Sequence, residues 1–140
     1  MVLRQRKYMK YKSLFLSVTL LVSPLLFSGC ATLSPAEIAS ASFDPVPANI
    51  EDLIQRDAGT RLMDPYSAVY DFGTPRRGFA QEGFAVGGRK RIGYIIPIEV
   101  NAKNEYGAYT GYKTRYYLWS EGGLYDVTAL KLSGMAKYID

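Results

Sequence analysis

Histidine is absent from this 140-residue chain, and cysteine occurs once, as Cys30. Nucleophilic catalysis by a Ser-His or Cys-His pair is therefore excluded, and so are zinc sites built from these residue types. The candidates that remain for catalysis are carboxylates at ordinary solvent positions on a predicted strand or near predicted turns: Glu99, Glu105, Glu121 and Asp126. We expect a protein that is not an enzyme and that holds no metal and no cofactor.

Acidic residues are absent from the first 29 positions, which explains the apparent basicity of the chain. The net charge is +4, from 17 Lys and Arg against 13 Asp and Glu. Five of the basic residues and none of the acids lie within 1–29, so 12 basic and 13 acidic residues follow, with a net charge of −1. Nucleic-acid binding requires basic charge on the folded part of a protein. We therefore expect no nucleic-acid partner.

The basic start is followed by a run without charge, LFLSVTLLVSPLLF at 14–27, and then by Ser28-Gly29. A membrane-spanning helix needs about 20 apolar residues, and this run has fourteen and contains a proline. The three-part pattern predicts that 1–29 is an export signal peptide that is removed. Translation from Met1 and translation from Met9 both remain compatible with the pattern.

The tetrapeptide Phe27-Ser28-Gly29-Cys30 resembles the lipobox of bacterial lipoproteins, with phenylalanine where that family usually has leucine. The resemblance implies that Cys30 becomes the first mature residue and that its thiol forms a thioether to diacylglycerol, with palmitate-type acyl chains as the lipid. Ala31, in place of an aspartate, implies sorting to the outer membrane. Each buried methylene of the acyl chains contributes about 0.8 kcal/mol, so the membrane would be a permanent partner. We expect the periplasmic face, and surface exposure stays open.

The mature chain divides by composition into a tether and one domain. Residues 30–47 are rich in Ala, Ser and Pro, which favours an extended tether, and Ser34 to Glu37 has capping-box spacing for one short helical turn. Residues 48–140 form the predicted domain. There Asn49 can cap a helix at 50–58, which has one apolar stripe.

Four strands are predicted in this domain, at 68–72, 91–101, 112–120 and 124–128. The second alternates apolar and other residues with period two, and Pro97 within it indicates an edge position or a bulge. A turn is predicted at 64–67, and Glu121-Gly122-Gly123 predicts a tight hairpin. The fold class is α+β, a small antiparallel β-meander of three to four strands packed against one short N-terminal helix. Residues 129–140 are compatible with a last strand or a frayed helix.

The loop NAKNEYGAYTG at 101–111 is the most distinctive stretch of the mature chain. Asn101 and Asn104 can cap turns, while Tyr106 and Tyr109 either project as a recognition surface or pack down on the sheet. With the segment DPYSA that begins at Asp64, the loop resembles small, uncharacterised bacterial envelope lipoproteins over about a third of the mature chain. That resemblance implies kinship and no defined activity.

A basic cluster, Arg89-Lys90-Arg91, is the remaining candidate site. It can meet phosphates of anionic lipid near the membrane, where each basic group contributes about 1 kcal/mol, or it can be solvated loop charge. Together these features predict a structural or protein-interaction role with an envelope protein partner. The alternative is a lipoprotein that binds a small ligand, glycan or peptide, through 101–111. The partner and the oligomeric state stay open.

Overall fold

Six strands form one antiparallel sheet with three short helices in the computed structural model, which describes residues 32–83, 85 and 87–139. The helices are α1 (Pro35–Ser40), α2 (Ile50–Gly59) and α3 (Thr128–Leu132). The strands are β1 (Asp64–Phe72), β2 (Arg76–Gln81), β3 (Lys90–Lys103), β4 (Lys113–Ser120), β5 (Gly123–Asp126) and β6 (Ala136–Tyr138). The predicted α+β class is confirmed, with a sheet larger than the three to four strands expected.

Strand β3 organises the sheet. The strand order is β5-β4-β3-β2-β6, and β1 also pairs with β3. Because β3 is 14 residues long, β1 and β2 lie end to end along one of its edges while β4 occupies the other. Strands β3, β4 and β5 follow one another as the predicted meander.

Pro97 lies in the middle of β3, opposite the break between β1 and β2. Phe72 pairs with Ile98 and Arg76 pairs with Ile95, so the outer chain takes four steps where β3 takes three. The backbone amide that follows β1 donates to the Pro97 carbonyl at 2.9 Å. The N and C=O of one strand residue point to the same side of the strand. The Pro97 nitrogen, which has no hydrogen to donate, therefore faces the break between β1 and β2, where no strand hydrogen bond is lost. Of the two alternatives expected at Pro97, the edge position is not found, because β4 also pairs with this residue. In place of a bulge within one strand, the partner chain breaks between β1 and β2.

Helix α2 covers one face of the sheet, as the apolar stripe predicted. Ile54 is fully buried, and it clusters with Ile96 and Ile98 of β3 and with Tyr117 of β4. Burying a side chain of this size contributes about 1.5–3 kcal/mol. This packing holds the short helix, which is too short to be stable alone.

The opposite face is covered only in part, by α3 and the end of the chain. Ile95 and Leu118 are fully buried there and pack with Val127 and Ala136. The centre of β3 is therefore buried on both faces. The half of this second face next to β1 has no helix over it among the described elements.

Several local predictions need correction. Strand β2 was not predicted, and the strand expected at 124–128 ends at Asp126 because the Thr128 amide donates to Asp126 Oδ1 at 2.9 Å and starts α3. The C-terminal segment contains both alternatives, helix α3 and then β6. Asn49 occupies the N-cap position of α2, but its side chain makes no capping hydrogen bond. The turn expected at 64–67 is an irregular start of β1, in which the Ser67 amide donates to Asp64.

Candidate functional site

The expected lipid attachment point, Cys30, and the leader 1–29 lie outside the described residues. The description begins at Thr32, two residues later. In the part of the chain from 32 onward that is described, no helix combines the length and the apolar character that crossing a bilayer requires.

The expected tether lies against the sheet from Thr32 onward. Ser34 and Glu37 form the predicted capping box of α1. The ammonium of Lys90, the first residue of β3, donates to Glu37 at 2.8 Å and to the Thr32 carbonyl at 3.0 Å. Hydrogen bonds from Lys90 and then from Ser34 lower the pKa of Glu37 to about 2. An ionised carboxylate and Lys90 therefore join the start of the described chain to the sheet.

The segment after α1 continues over the same face as α2. The ring of Phe43 meets Tyr94 edge-on, with centroids 5.7 Å apart, and lies 4.7 Å from the guanidinium of Arg77. The indole N–H of Trp119 donates to the Pro45 carbonyl at 3.1 Å. Residues 41–47 form no helix or strand, as expected of a tether, but these contacts make them part of the folded unit.

The loop between β3 and β4 is fixed by its two asparagines. Asn104 Oδ1 accepts hydrogen bonds from the backbone amides of Tyr106 and Ala108, both at 3.0 Å. Asn101 Oδ1 accepts from the Gly111 amide at 3.0 Å. The turn-capping role predicted for both asparagines is present, so their carbonyl oxygens serve the loop and are already occupied.

The tyrosines of this loop project from the sheet. Tyr106 is 85% exposed and Tyr109 is 52% exposed. The only contact of either ring with a charged group among those described is that of Tyr109, whose centroid lies 5.5 Å from the ammonium of Lys103. Of the two alternatives for these side chains, the projecting one is found.

Further exposed apolar side chains lie at the same end of the sheet. Asp64 pairs with Lys103 and Val69 pairs with Asn101, which brings the start of β1 beside the loop. Of the eight exposed large apolar side chains among the described residues, six lie on this hairpin or on β1 and the residue before it. Five of them define what we call the tyrosine surface: Met63, Val69, Tyr106, Tyr109 and Tyr112.

The basic cluster is engaged with carboxylates. Lys90 binds Glu37, as described above, and Arg91 pairs with Glu82 while its guanidinium lies 4.4 Å from the ring centroid of Tyr125. Arg89, which is exposed, contacts Glu121 at 3.5 Å. Lys90 and Arg91 are therefore engaged within the fold, and of the three cations only Arg89 lies in an open position.

A polar network beneath α2 was not anticipated from the sequence. The buried hydroxyl of Tyr117 donates to Asp57 at 3.0 Å, and Arg61 bridges Asp57 at 2.6 Å and Asp126 at 2.9 Å. Burial first, and then the Asp57 carboxylate, raise the pKa of Tyr117 well above its usual value. A tyrosine held neutral in this way is a structural donor, since it resists ionisation.

The carboxylates considered for catalysis are dispersed. Glu99 faces Asp71 across the sheet, Glu121 meets Arg89, and Asp126 binds Arg61 and Arg115. Across the described ranges, no group of three or more Cys, Asp or Glu residues is arranged to hold a metal ion.

Comparisons of the chain with protein-family models, with curated proteins and with solved structures find no match.

Proposed function

We propose that this protein is a lipoprotein of a bacterial envelope, anchored through Cys30 to the outer membrane on its periplasmic side, whose folded domain binds another envelope protein. The proposal assigns it no catalytic activity. Support for the anchor comes from the leader pattern and from the placement of the single cysteine directly after it.

The observation that carries the binding role is the tyrosine surface. Tyr106, Tyr109 and Tyr112 are 85%, 52% and 56% exposed on one hairpin. Tyrosine is enriched at protein interfaces because it combines a large apolar body with a polar tip. Single exposed apolar side chains are normal on a protein surface, whereas several together commonly mark an interaction site.

The rigidity of the loop strengthens this proposal. Asn101 and Asn104 hold three backbone amides of the loop, and the glycines Gly107 and Gly111 adopt φ of +78° and +87°, which other residues rarely tolerate. A loop already in one conformation loses little entropy when it binds. The same geometry positions the tyrosines before any partner arrives.

The binding role is tested by site-specific photo-crosslinking in intact cells. A benzophenone amino acid replaces Tyr106, Tyr109 or Tyr112 in separate variants, and Leu132 of α3, which is 79% exposed, serves as the matched control. We expect one discrete protein adduct from the tyrosine positions and none from Leu132. Absence of an adduct, or equal adducts from all four positions, would contradict the proposal.

The anchor is tested separately by metabolic labelling with a palmitate analogue. We expect the wild-type chain to incorporate the label and the Cys30→Ser variant to lose it. Retention of the label by Cys30→Ser would refute attachment at that thiol. It would not affect the conclusion about binding, which the crosslinking experiment tests separately.

A glycan ligand is the second candidate, and one row of side chains favours it. Thr114, Glu99 and Asp71 are cross-strand neighbours on the uncovered half of the sheet, next to the hairpin that presents Tyr112. The carboxylate and hydroxyl groups can hydrogen-bond to the hydroxyls of a sugar, while a neighbouring aromatic ring stacks on the face of the sugar ring. Binding to a glycan array that is lost in Tyr109→Ala, together with no protein adduct in cells, would favour this candidate.

A further inference from the structure

The outer edge of β1 is an unpaired strand edge. In an antiparallel strand, the N–H and C=O groups of successive residues point alternately to the two sides. The Gly73 amide donates to the Pro97 carbonyl of β3, and Val69 and Asp71 pair with β3 in the same alternation. The backbone groups of the intervening residues therefore point away from the sheet: Ala68, Tyr70 and Phe72.

Nothing in the described chain satisfies these outward groups. No described strand pairs with that edge, and no described backbone hydrogen bond reaches the N–H or C=O of Ala68, Tyr70 or Phe72. Strands β5 and β6 also end the sheet, but they have only four and three residues. The β1 edge is thus the longest free edge among the described strands.

Natural proteins usually protect such an edge with proline, charge or a bulge. In β1 the proline and the irregular pairing lie at the beginning of the strand, at Pro65 and after Asp64, and the rest of the strand carries one charged side chain, Asp71. From Val69 to Phe72 the pairing with β3 is regular. A regular stretch therefore remains, whose outward backbone groups have no partner in the described chain.

A groove lies along this edge, between β1 and α2. The groove is open to solvent and has a volume of about 610 Å³. The helix contributes one wall and the strand the other, and Tyr70, whose hydroxyl donates to the Gln55 carbonyl at 3.5 Å, closes the floor between them. The lining residues are Asp52, Gln55, Arg56, Pro65, Tyr66, Ala68 and Tyr70.

We propose that this groove binds an extended peptide segment of another protein, which adds to the sheet as a strand antiparallel or parallel to β1. Main-chain hydrogen bonds between the peptide and Ala68, Tyr70 and Phe72 supply affinity. Contacts between the peptide's side chains and α2 supply specificity. None of the residues that line the groove belongs to the tyrosine surface, and the site does not require that surface or the lipid anchor.

The helix wall indicates what such a peptide carries. Asp52 and Arg56 take part in none of the ion pairs found in the described chain, so both are available to a ligand. They are separated by about 6 Å along a helix. Alternate residues of a strand, which share a face, are about 6.6 Å apart. A peptide with a basic and an acidic residue two positions apart therefore matches the wall.

A single peptide fits this geometry better than a second copy of the chain. Because α2 lines the groove directly beside the edge, two β1 edges that paired with each other would bring two α2 helices to the same place. An isolated strand needs only the width between α2 and the edge.

The probe is a phage-displayed library of random linear peptides selected on the full chain. For a synthetic peptide from the enriched set, amide exchange is measured residue by residue. We expect the amides of Ala68, Tyr70 and Phe72 to exchange at least about tenfold more slowly in the complex. Val69 and Asp71, already bonded to β3, serve as internal controls and should not change.

Two variants test the assignment without disturbing the sheet. Ala68→Pro removes an outward N–H that has no partner, so folding should persist while peptide affinity falls at least about tenfold, the factor that ~1.4 kcal/mol of lost binding produces. On Arg56→Glu, the library should select peptides with Lys or Arg at the position where the wild-type consensus has an acidic residue, because the charge on the helix is reversed. Both variants are checked for an unchanged urea midpoint.

Three results would overturn the inference. They are a library without enrichment, selected peptides that leave the β1 amides unprotected, and a consensus that is the same on Arg56→Glu. Protection of these amides without peptide, rising with protein concentration, would also overturn it, because it would identify a second copy as the occupant.

Discussion

The hydroxyl of Tyr117, a fully buried side chain of β4, donates a hydrogen bond to the Asp57 carboxylate of α2 at 3.0 Å. It joins the helix to the sheet by a polar contact inside an otherwise apolar layer. Arg61 supports the same carboxylate from the solvent side. The orientation of α2 is therefore set by this hydrogen bond as well as by its apolar stripe.

The variant Tyr117→Phe should lower the free energy of unfolding by about 1.5–3 kcal/mol, because a hydrogen bond to a charged acceptor is lost while the ring stays packed. Equilibrium urea unfolding measures the change. The control is Tyr112→Phe on the exposed hairpin, which should lie within about 0.5 kcal/mol of wild type. Equal stability of Tyr117→Phe and wild type would show that the hydrogen bond contributes nothing.

The variant Gly93→Ala should be strongly destabilised, since a Cβ there would lie 2.0 Å from the Trp119 carbonyl oxygen on the neighbouring strand. Overpacking against side chains costs about 1–3 kcal/mol, and a backbone contact yields less easily, so we expect about 3 kcal/mol or more. Thermal unfolding followed by circular dichroism measures it. Gly83→Ala, with no atom within 4 Å of its Cβ, is the matched control. A normal melting temperature for Gly93→Ala would contradict the close strand approach.

The Glu37 carboxylate should titrate at a pH near 2, because Lys90 and Ser34 hydrogen-bond to its ionised form. A carboxyl pKa that is lower in the folded than in the unfolded chain stabilises the fold above the unfolded value of 4.5, and that stabilisation is lost as the pH falls toward 2. Carbon-detected NMR of the carboxyl group measures the midpoint, and Lys90→Met should move it upward. A midpoint near 4.5 in the wild-type chain would refute the contact with Lys90.

The variant Asn104→Ala should loosen the β3–β4 loop, because two backbone amides lose their acceptor. We expect a loss of about 1 kcal/mol of local stability, seen as faster exchange of the Tyr106 and Ala108 amides. Asn104→Asp keeps the oxygen and should preserve their protection. If the proposed function is right, photo-crosslinking from Tyr109 should weaken in Asn104→Ala and persist in Asn104→Asp. Unchanged exchange in the alanine variant would remove the rigidity argument.

Local sequence patterns predicted the elements that carry strong periodicity. The apolar stripe of α2 and the alternation of β3 are visible because each buries one face against the other. Strand β2 was missed because Arg76-Arg77-Gly78 has no such alternation. It forms because β3 offers an edge on one side and β6 on the other, and Gly78 permits an approach in which a Cβ would lie 2.5 Å from an Ile95 methyl. Nothing within the six residues of β2 contains that information.

The candidate sites were predictable to different degrees for a similar reason. Asn101 and Asn104 bond to amides within ten residues, so sequence spacing sufficed. The partners of Arg89, Lys90 and Arg91 are Glu121, Glu37 and Glu82, and two of these come from distant elements. The unpaired edge of β1 was also out of reach, because it depends on which strand lies beside β3.

The hydrogen bond from Lys90 to the Thr32 carbonyl fixes the start of the described chain against the sheet. Thr32 lies two positions after Cys30, and even a fully extended backbone of that length spans only about 7 Å. If Cys30 carried acyl chains in a membrane, the folded domain would lie directly against the lipid headgroups. Its radius of gyration would be about 13 Å, as for any domain near 100 residues. It would then search for partners in two dimensions, within a thin layer next to the bilayer, and molecules deeper in the compartment would pass beyond its reach.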